Sequence, residues 1–197
     1  MVDVIARYQA DRGTLLRRYD VPWSAERRQR MRDFYAGWRA QLRAVDFGAL
    51  GREGQLDYLL LDNRLQHELA LLEREQREAA EMAPLMPFAD SIAGLQLARR
   101  RLETLDASAA ARQLDALTRE ITRVRLGVER GMRDSSAVAR RDGSRDTVPA
   151  IARPTPVVAF RTMNALDDVR RTLEAWQRFY AGYDPMFTWW TTAPYAR

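Results

Sequence analysis

The sequence predicts an all-α fold, an irregular multi-helix bundle of about six helices with one long proline-containing loop. Apolar residues recur at steps of three and four along nearly every segment, and the period-2 alternation of half-buried strands is nearly absent. A chain of 197 residues with 46% hydrophobic content can also bury a sizeable core, so a single helical domain over 1–197 is expected rather than a disordered chain.

A first helix is predicted over residues 3–19, with Ile5, Tyr8, Leu15, Leu16 and Tyr19 inward and a stop before Pro22. Ser24 offers the N-cap of a second helix, whose Met31, Phe34, Tyr35, Trp38, Leu42 and Val45 form an aromatic-rich stripe. Gly48, Gly51 and Gly54 interrupt the pattern, and a long periodic run follows over 55–82. Leu56, Leu60, Asn63 and His67 lie on one stripe of that run, and Leu61, Leu65, Leu69 and Leu72 on another. Two stripes predict a central helix packed on two sides.

Pro84 and Pro87 mark a turn, after which Asp90 or Ser91 can cap a helix carrying Ile92, Leu95, Leu102 and Leu105. Asp106-Ala107-Ser108 restarts the chain, and Leu114, Leu117, Ile121, Val124 and Val128 then form the seam of an antiparallel packed helix. Residues 132–156 lose the periodicity and collect Pro149, Pro154 and Pro156, which predicts a surface loop. The last helix carries Leu166, Val169, Leu173, Trp176, Tyr180 and Tyr183 and ends at Asp184-Pro185. Beyond it Phe187, Trp189, Trp190 and Tyr195 offer more apolar area than a terminal segment can bury alone. These four are the candidate interface, to be covered by this bundle, a second subunit or further sequence.

Charge is interleaved rather than clustered. All 32 basic residues are arginine; residues 1–82 hold 14 of them against 14 acids, and residues 83–197 hold 18 against 13. Alternations such as Arg119-Glu120 and Glu129-Arg130 are the habit of solvated helix faces, and neither Arg99-Arg100-Arg101 nor Arg140-Arg141 is interleaved with aromatics. No nucleic-acid partner is expected. The chain has no cysteine, which excludes disulfides, thiol nucleophiles and cysteine metal sites. The first residues lack the apolar run of a signal peptide, and no run of about 18 apolar residues suggests a membrane span, so the chain reads as soluble.

The sharpest catalytic lure is His67-Glu68-Leu69-Ala70-Leu71, which begins like the His-Glu-x-x-His of zinc peptidases. Leu71 stands where the second imidazole must be, and His67 is the only histidine. A structural role is the better reading: Asn63 and His67, four apart on a leucine-rich face, can bond each other or nearby backbone, or simply be partly exposed. A di-iron bundle needs Glu-x-x-His twice and fails on the same count, and a Ser-His triad has no elbow near His67. Glu73, Glu75, Glu78 and Glu81 alternate with Arg74 and Arg77, as on a solvated face rather than in a glycosidase pair. No glycine-rich phosphate loop is present.

Three stretches stand together in a recognisable order: Asp57-Tyr58-Leu59-Leu60-Leu61-Asp62-Asn63-Arg64-Leu65-Gln66-His67-Glu68-Leu69, then Glu81-Met82-Ala83-Pro84-Leu85-Met86-Pro87-Phe88, then Phe179-Tyr180-Ala181-Gly182-Tyr183-Asp184-Pro185-Met186-Phe187-Thr188-Trp189-Trp190 with Pro194-Tyr195. They resemble the N-terminal region of the bacterial family catalogued as domain of unknown function 885, across essentially the whole chain. The resemblance implies a longer, largely helical parent similar to zinc metallopeptidases of the gluzincin type. Its His-Glu and Gly-His-His zinc segment and a downstream Glu would lie beyond the matched region. No catalytic, cofactor-binding or metal-binding residue is therefore carried over to this chain, and zinc is expected only in the C-terminal part of the family. The implied partner is that catalytic half or a second subunit. The family often carries an export leader, so the compartment implied is the bacterial periplasm or cytoplasm. The family pattern continues past the Pro-Tyr pair, so an end at Arg197 reads as a truncation. The expected role is a helical scaffold over a substrate cleft; the alternative is a free-standing interaction module that oligomerises through its aromatic C-terminal tail.

Overall fold

A computed structural model describes residues 1–21, 23–133 and 148–197. The protein is all-α: seven α-helices and two short 3-10 turns, with no strand among the described residues. The helices fall into two compact units, Met1–Ala79 and Ala80–Arg197.

The first unit contains α1 (Val2–Arg18), α2 (Ala25–Arg43) and most of α3 (Arg52–Met82). Ser24 caps α2 as expected, its hydroxyl accepting from the Arg27 N–H at 3.3 Å. Trp23, just before it, takes the left-handed φ of 61° that a non-glycine residue rarely adopts. Tyr8, Met31, Tyr35, Trp38 and Leu42 bury the inner faces of α1 and α2 against Leu61, Leu65 and Leu72 of α3. Tyr8 stacks on Phe34 at 5.8 Å and meets Trp38 edge-on at 5.7 Å, so aromatic rings fill the α1–α2 seam. Around the core, Arg39 pairs with Asp62 at 3.1 Å and Arg27 with Glu75 at 3.4 Å, tying α2 to α3.

The expectation that α3 packs on two sides is corrected. Leu61, Leu65 and Leu72 are buried and Leu69 is half-buried, but Leu56, Leu60, Asn63 and His67 are all exposed. Periodicity identifies an apolar stripe without saying whether a neighbour covers it. α3 also starts earlier than the glycines suggested. Gly48 sits in the 3-10 turn Phe47–Ala49, where its N–H reaches the Asp46 carboxylate at 3.0 Å, while Gly54 is absorbed into the helix.

The second unit contains α4 (Ala89–Arg100), α5 (Ala107–Arg133), α6 (Pro156–Ala181) and α7 (Pro185–Ala196), with the 3-10 turn Ala83–Leu85 ahead of them. α4 packs on α6, and α5 on α7. Ile92, Leu95 and Leu97 of α4, Leu114 and Leu117 of α5, Ala165, Val169 and Trp176 of α6 and Phe187 of α7 are buried. Neither Asp90 nor Ser91 caps α4. Phe88 holds that position without a side-chain bond, and Asp90 lies in the first turn, where its charge complements the helix dipole.

Leu102 and Leu105 lie beyond the end of α4, not on it. The helix closes in a Schellman motif, with the Leu102 N–H donating to the Arg99 carbonyl at 3.0 Å and the Glu103 N–H to that of Ala98 at 3.1 Å. Leu102 itself has φ 58°, where glycine is the usual occupant. Asp106 then caps α5: its carboxylate accepts from the Ala109 and Ser108 N–H groups, and these bonds hold its carboxyl below the usual range.

Of the expected loop over 132–156, residues 132 and 133 complete α5, 148–155 have no regular structure, and 134–147 lie outside the described residues. Pro156 opens α6 rather than ending the loop, because Thr155 caps the Val158 N–H at 3.3 Å and proline suits the first helical position. Residues 148–151 lie along α5. The Ile151 N–H donates to the Gly127 carbonyl at 3.0 Å, and Arg130 reaches the Val148 carbonyl at 2.6 Å. A Cβ on Gly131 would stand 1.8 Å from the Ile151 carbonyl oxygen, so only glycine admits the strap.

Two substitutions test this backbone reading. Gly131→Ala is expected to lower stability by about 1–3 kcal/mol in urea unfolding, because the backbone must move. Leu102→Gly removes an exposed side chain from a left-handed site, and the same titration is expected to show a gain of about 0.5–1 kcal/mol.

Candidate functional site

Among the four candidate interface residues, α7 makes the division. Asp184 caps the helix by accepting from the Met186 N–H at 2.9 Å, and Pro185 occupies its first position. The segment expected as an aromatic tail is therefore a helix, and Pro194 falls within its last turn. Helical spacing then sends Phe187, Thr191 and Pro194 to the buried side. Phe187 is fully enclosed, its ring 5.1 Å from Trp176 and 5.3 Å from Tyr180. It is a core residue. Tyr195 is half-buried on the same side, and burial, with Glu174 nearby, pushes its hydroxyl above the usual tyrosine value.

The opposite side carries Met186, Trp189, Trp190 and Ala193, all exposed. Trp189 is 71% exposed and Trp190 41%, and the two rings meet edge-on at 4.9 Å. Met186 was missed in the sequence reading, although its spacing of three and four from the tryptophans would have placed it there. A helix apolar on both sides is normally enclosed on both sides, and among the described residues nothing covers the outer face of α7.

Beside α7 is a cleft of about 210 Å³ lined by α5 residues including Leu114, Leu117 and Ile121 and, from α7, by Pro194 and Tyr195. Arg197 at its mouth pairs with Asp115 at 3.2 Å. The volume is below the roughly 300–1,000 Å³ of typical small-molecule sites.

The polar centre of the first unit lies beside the His67 motif. Glu68 is only 8% exposed, and its Oε1 receives Arg12 Nη2 at 3.2 Å and Arg64 Nη2 at 2.5 Å. Arg12 Nε also donates to the Tyr35 hydroxyl at 3.1 Å. The Tyr8 hydroxyl is buried without a hydrogen-bond partner among the described residues, and the Arg12 and Arg64 guanidiniums lie close enough to act on its charge. Burial pushes both phenols up, Tyr35 to about 12. The one carboxylate here is neutralised by two guanidiniums and the cluster joins α1, α2 and α3, which is an arrangement for holding helices together.

His67 points away from this cluster, exposed beside the equally exposed Asn63. Glu68, its neighbour in the sequence motif, is committed to arginine. No group of three or more His, Asp or Glu placed to hold a metal occurs among the described residues, so this donor set does not fit a zinc centre. No described helix is long and apolar enough to cross a membrane. What the fold defines is an all-α helical bundle protein with an aromatic face of α7 exposed among the described residues. No protein-family model, curated protein or solved structure matches the chain.

Two tyrosines separate bonded from unbonded hydroxyls. Tyr35→Phe is expected to cost about 0.5–1.5 kcal/mol in urea unfolding, whereas Tyr8→Phe, which removes a hydroxyl without a partner, is expected to be neutral or stabilising. A phenol with a raised folded-state value favours the fold while it is protonated, and that advantage is lost as pH climbs through the folded value. Stability is therefore expected to fall between pH 10 and about 12, and to fall less steeply in Tyr35→Phe; a pH series of unfolding midpoints measures this.

Proposed function

We propose that this chain is a non-catalytic helical scaffold domain that docks through the outer face of α7 onto the catalytic half of a metallopeptidase-like protein. The single observation that carries the reading is the face of Met186, Trp189 and Trp190, exposed among the described residues, on a helix whose other side buries Phe187, Thr191 and Pro194. Tryptophans of this kind are the usual anchors of an interface. The resemblance to the domain of unknown function 885 family suggests the occupant, since the region that this chain resembles there precedes a zinc-binding half. The arginine-bound Glu68 and the lone, exposed His67 support a role without chemistry of its own.

The test is a titration of the chain with a separately produced catalytic half of a member of that family. Trp189→Ala with Trp190→Ala is expected to weaken binding by at least about 100-fold while leaving the unfolding midpoint nearly unchanged, as both rings are exposed. No binding by the unaltered chain, or zinc-dependent peptidase activity in the chain alone, overturns the reading.

A second reading is self-association through the same face, in a free-standing interaction module. It predicts a dimer that returns to monomer in the double tryptophan variant.

A further inference from the structure

Among the described residues α3 carries a second unpartnered face, independent of α7. Glu53, Leu56, Leu60, Asn63, His67, Ala70 and Arg74 follow one another at alternating steps of three and four, all on the exposed side of one continuous helix. Leu56 is 55% exposed and Leu60 67%. Three of the seven, Leu56, Leu60 and Ala70, are apolar and lie at the a and d spacing by which one helix receives another, and the polar positions among them restrict the register. The stripe is not needed for the core of its own unit, which uses Leu61, Leu65 and Leu72.

Charge selects the occupant. The positions flanking the seam include Arg52 and Glu73 on one side and Asp57 and Arg64 on the other. When a second α3 runs antiparallel with Leu60 opposite the partner's Asn63, Leu56 falls opposite the partner's His67. In that register Arg52 meets the partner's Glu73, Asp57 meets the partner's Arg64, and two-fold symmetry repeats both pairs. Each of these four charges then faces its opposite, Arg64 with its exposed part while it still holds Glu68. A parallel pair in register would instead stack Glu53 on Glu53 and Arg74 on Arg74, which is unfavourable. The antiparallel register also places the two Asn63 amides about 4.5 Å apart along the axis, beside the two-fold, where they can bond each other. A polar pair there fixes the register.

We propose that α3 is a self-association face, pairing antiparallel with α3 of a second copy of this chain. The seam runs from Glu53 to Arg74, roughly 32 Å of helix, which matches a weak, concentration-dependent dimer rather than an obligate one. The proposal does not depend on what covers α7.

Sedimentation equilibrium of the full chain over a concentration series tests it. A monomer–dimer equilibrium is expected, and Leu60→Asp, at an exposed position that should leave the monomer folded by circular dichroism, is expected to weaken it at least about tenfold. Arg52→Glu and Glu73→Arg are each expected to weaken it about fivefold, and the two together to restore it, because the swap rebuilds the same pair with reversed sign. The chain has no cysteine, so single-cysteine variants report the register. Leu56→Cys and His67→Cys proteins are expected to form a mixed disulfide together, whereas two Leu56→Cys copies, separated by eleven residues or roughly 16 Å, are not. A strictly monomeric chain, a disulfide between two Leu56→Cys copies, or a dimer insensitive to Leu60→Asp but abolished by Trp189→Ala with Trp190→Ala overturns the proposal.

Discussion

The inner face of α3 is the surface on which the first unit is assembled. Leu61, Leu65 and Leu72 receive the apolar sides of α1 and α2, and the aromatic contacts of Tyr8, Phe34 and Trp38 fill the seam between those two. One turn away, Glu68 draws Arg12 toward the same helix, so apolar and polar contacts specify one arrangement. A helix packed on one side must leave its other side to solvent or to something outside the unit. The constraint is geometric, and it turns the surplus leucines of α3 from core into surface.

The second unit meets the same constraint at its end. α7 closes the core with Phe187, Thr191 and Pro194, and its remaining aromatic area faces outward. Polar groups in the interior are used sparingly. The Thr191 hydroxyl returns to the Phe187 carbonyl at 2.7 Å, and Thr162 does likewise to Val158 at 2.8 Å, so these buried hydroxyls satisfy themselves within their own helix.

How much of this was legible in the sequence follows from what periodicity encodes. The helices α1, α2, α5 and α6 were readable because most of their inward residues recur at three and four and because Ser24 and Asp106 are strong local signals, but Ile121, expected on the α5 seam, is exposed, and Tyr183, expected on the last helix, lies beyond Ala181 and is 86% exposed. The exposure of Leu56 and Leu60 was not readable, since a leucine stripe looks the same whether or not another helix lies on it. Leu102 was placed on α4 by spacing alone, and only the backbone bonds of Glu103 and Leu102 reveal the turn. Apolar area alone grouped the terminal aromatics. Helical geometry separates them, with Phe187 inside, Trp189 and Trp190 outside, and Tyr195 between.

The placement of tryptophan gives each unit its own optical signature. Trp38 is enclosed in the first unit and Trp176 in the second, while Trp189 and Trp190 meet water directly. Emission from the enclosed indoles should be blue-shifted and shielded from aqueous quenchers such as iodide, and emission from the α7 pair red-shifted and readily quenched. A chain that retains only Trp38 or only Trp176 would thus let the melting of one unit be followed without interference from the other, and a chain that retains only the α7 pair would light up the approach of whatever covers that face.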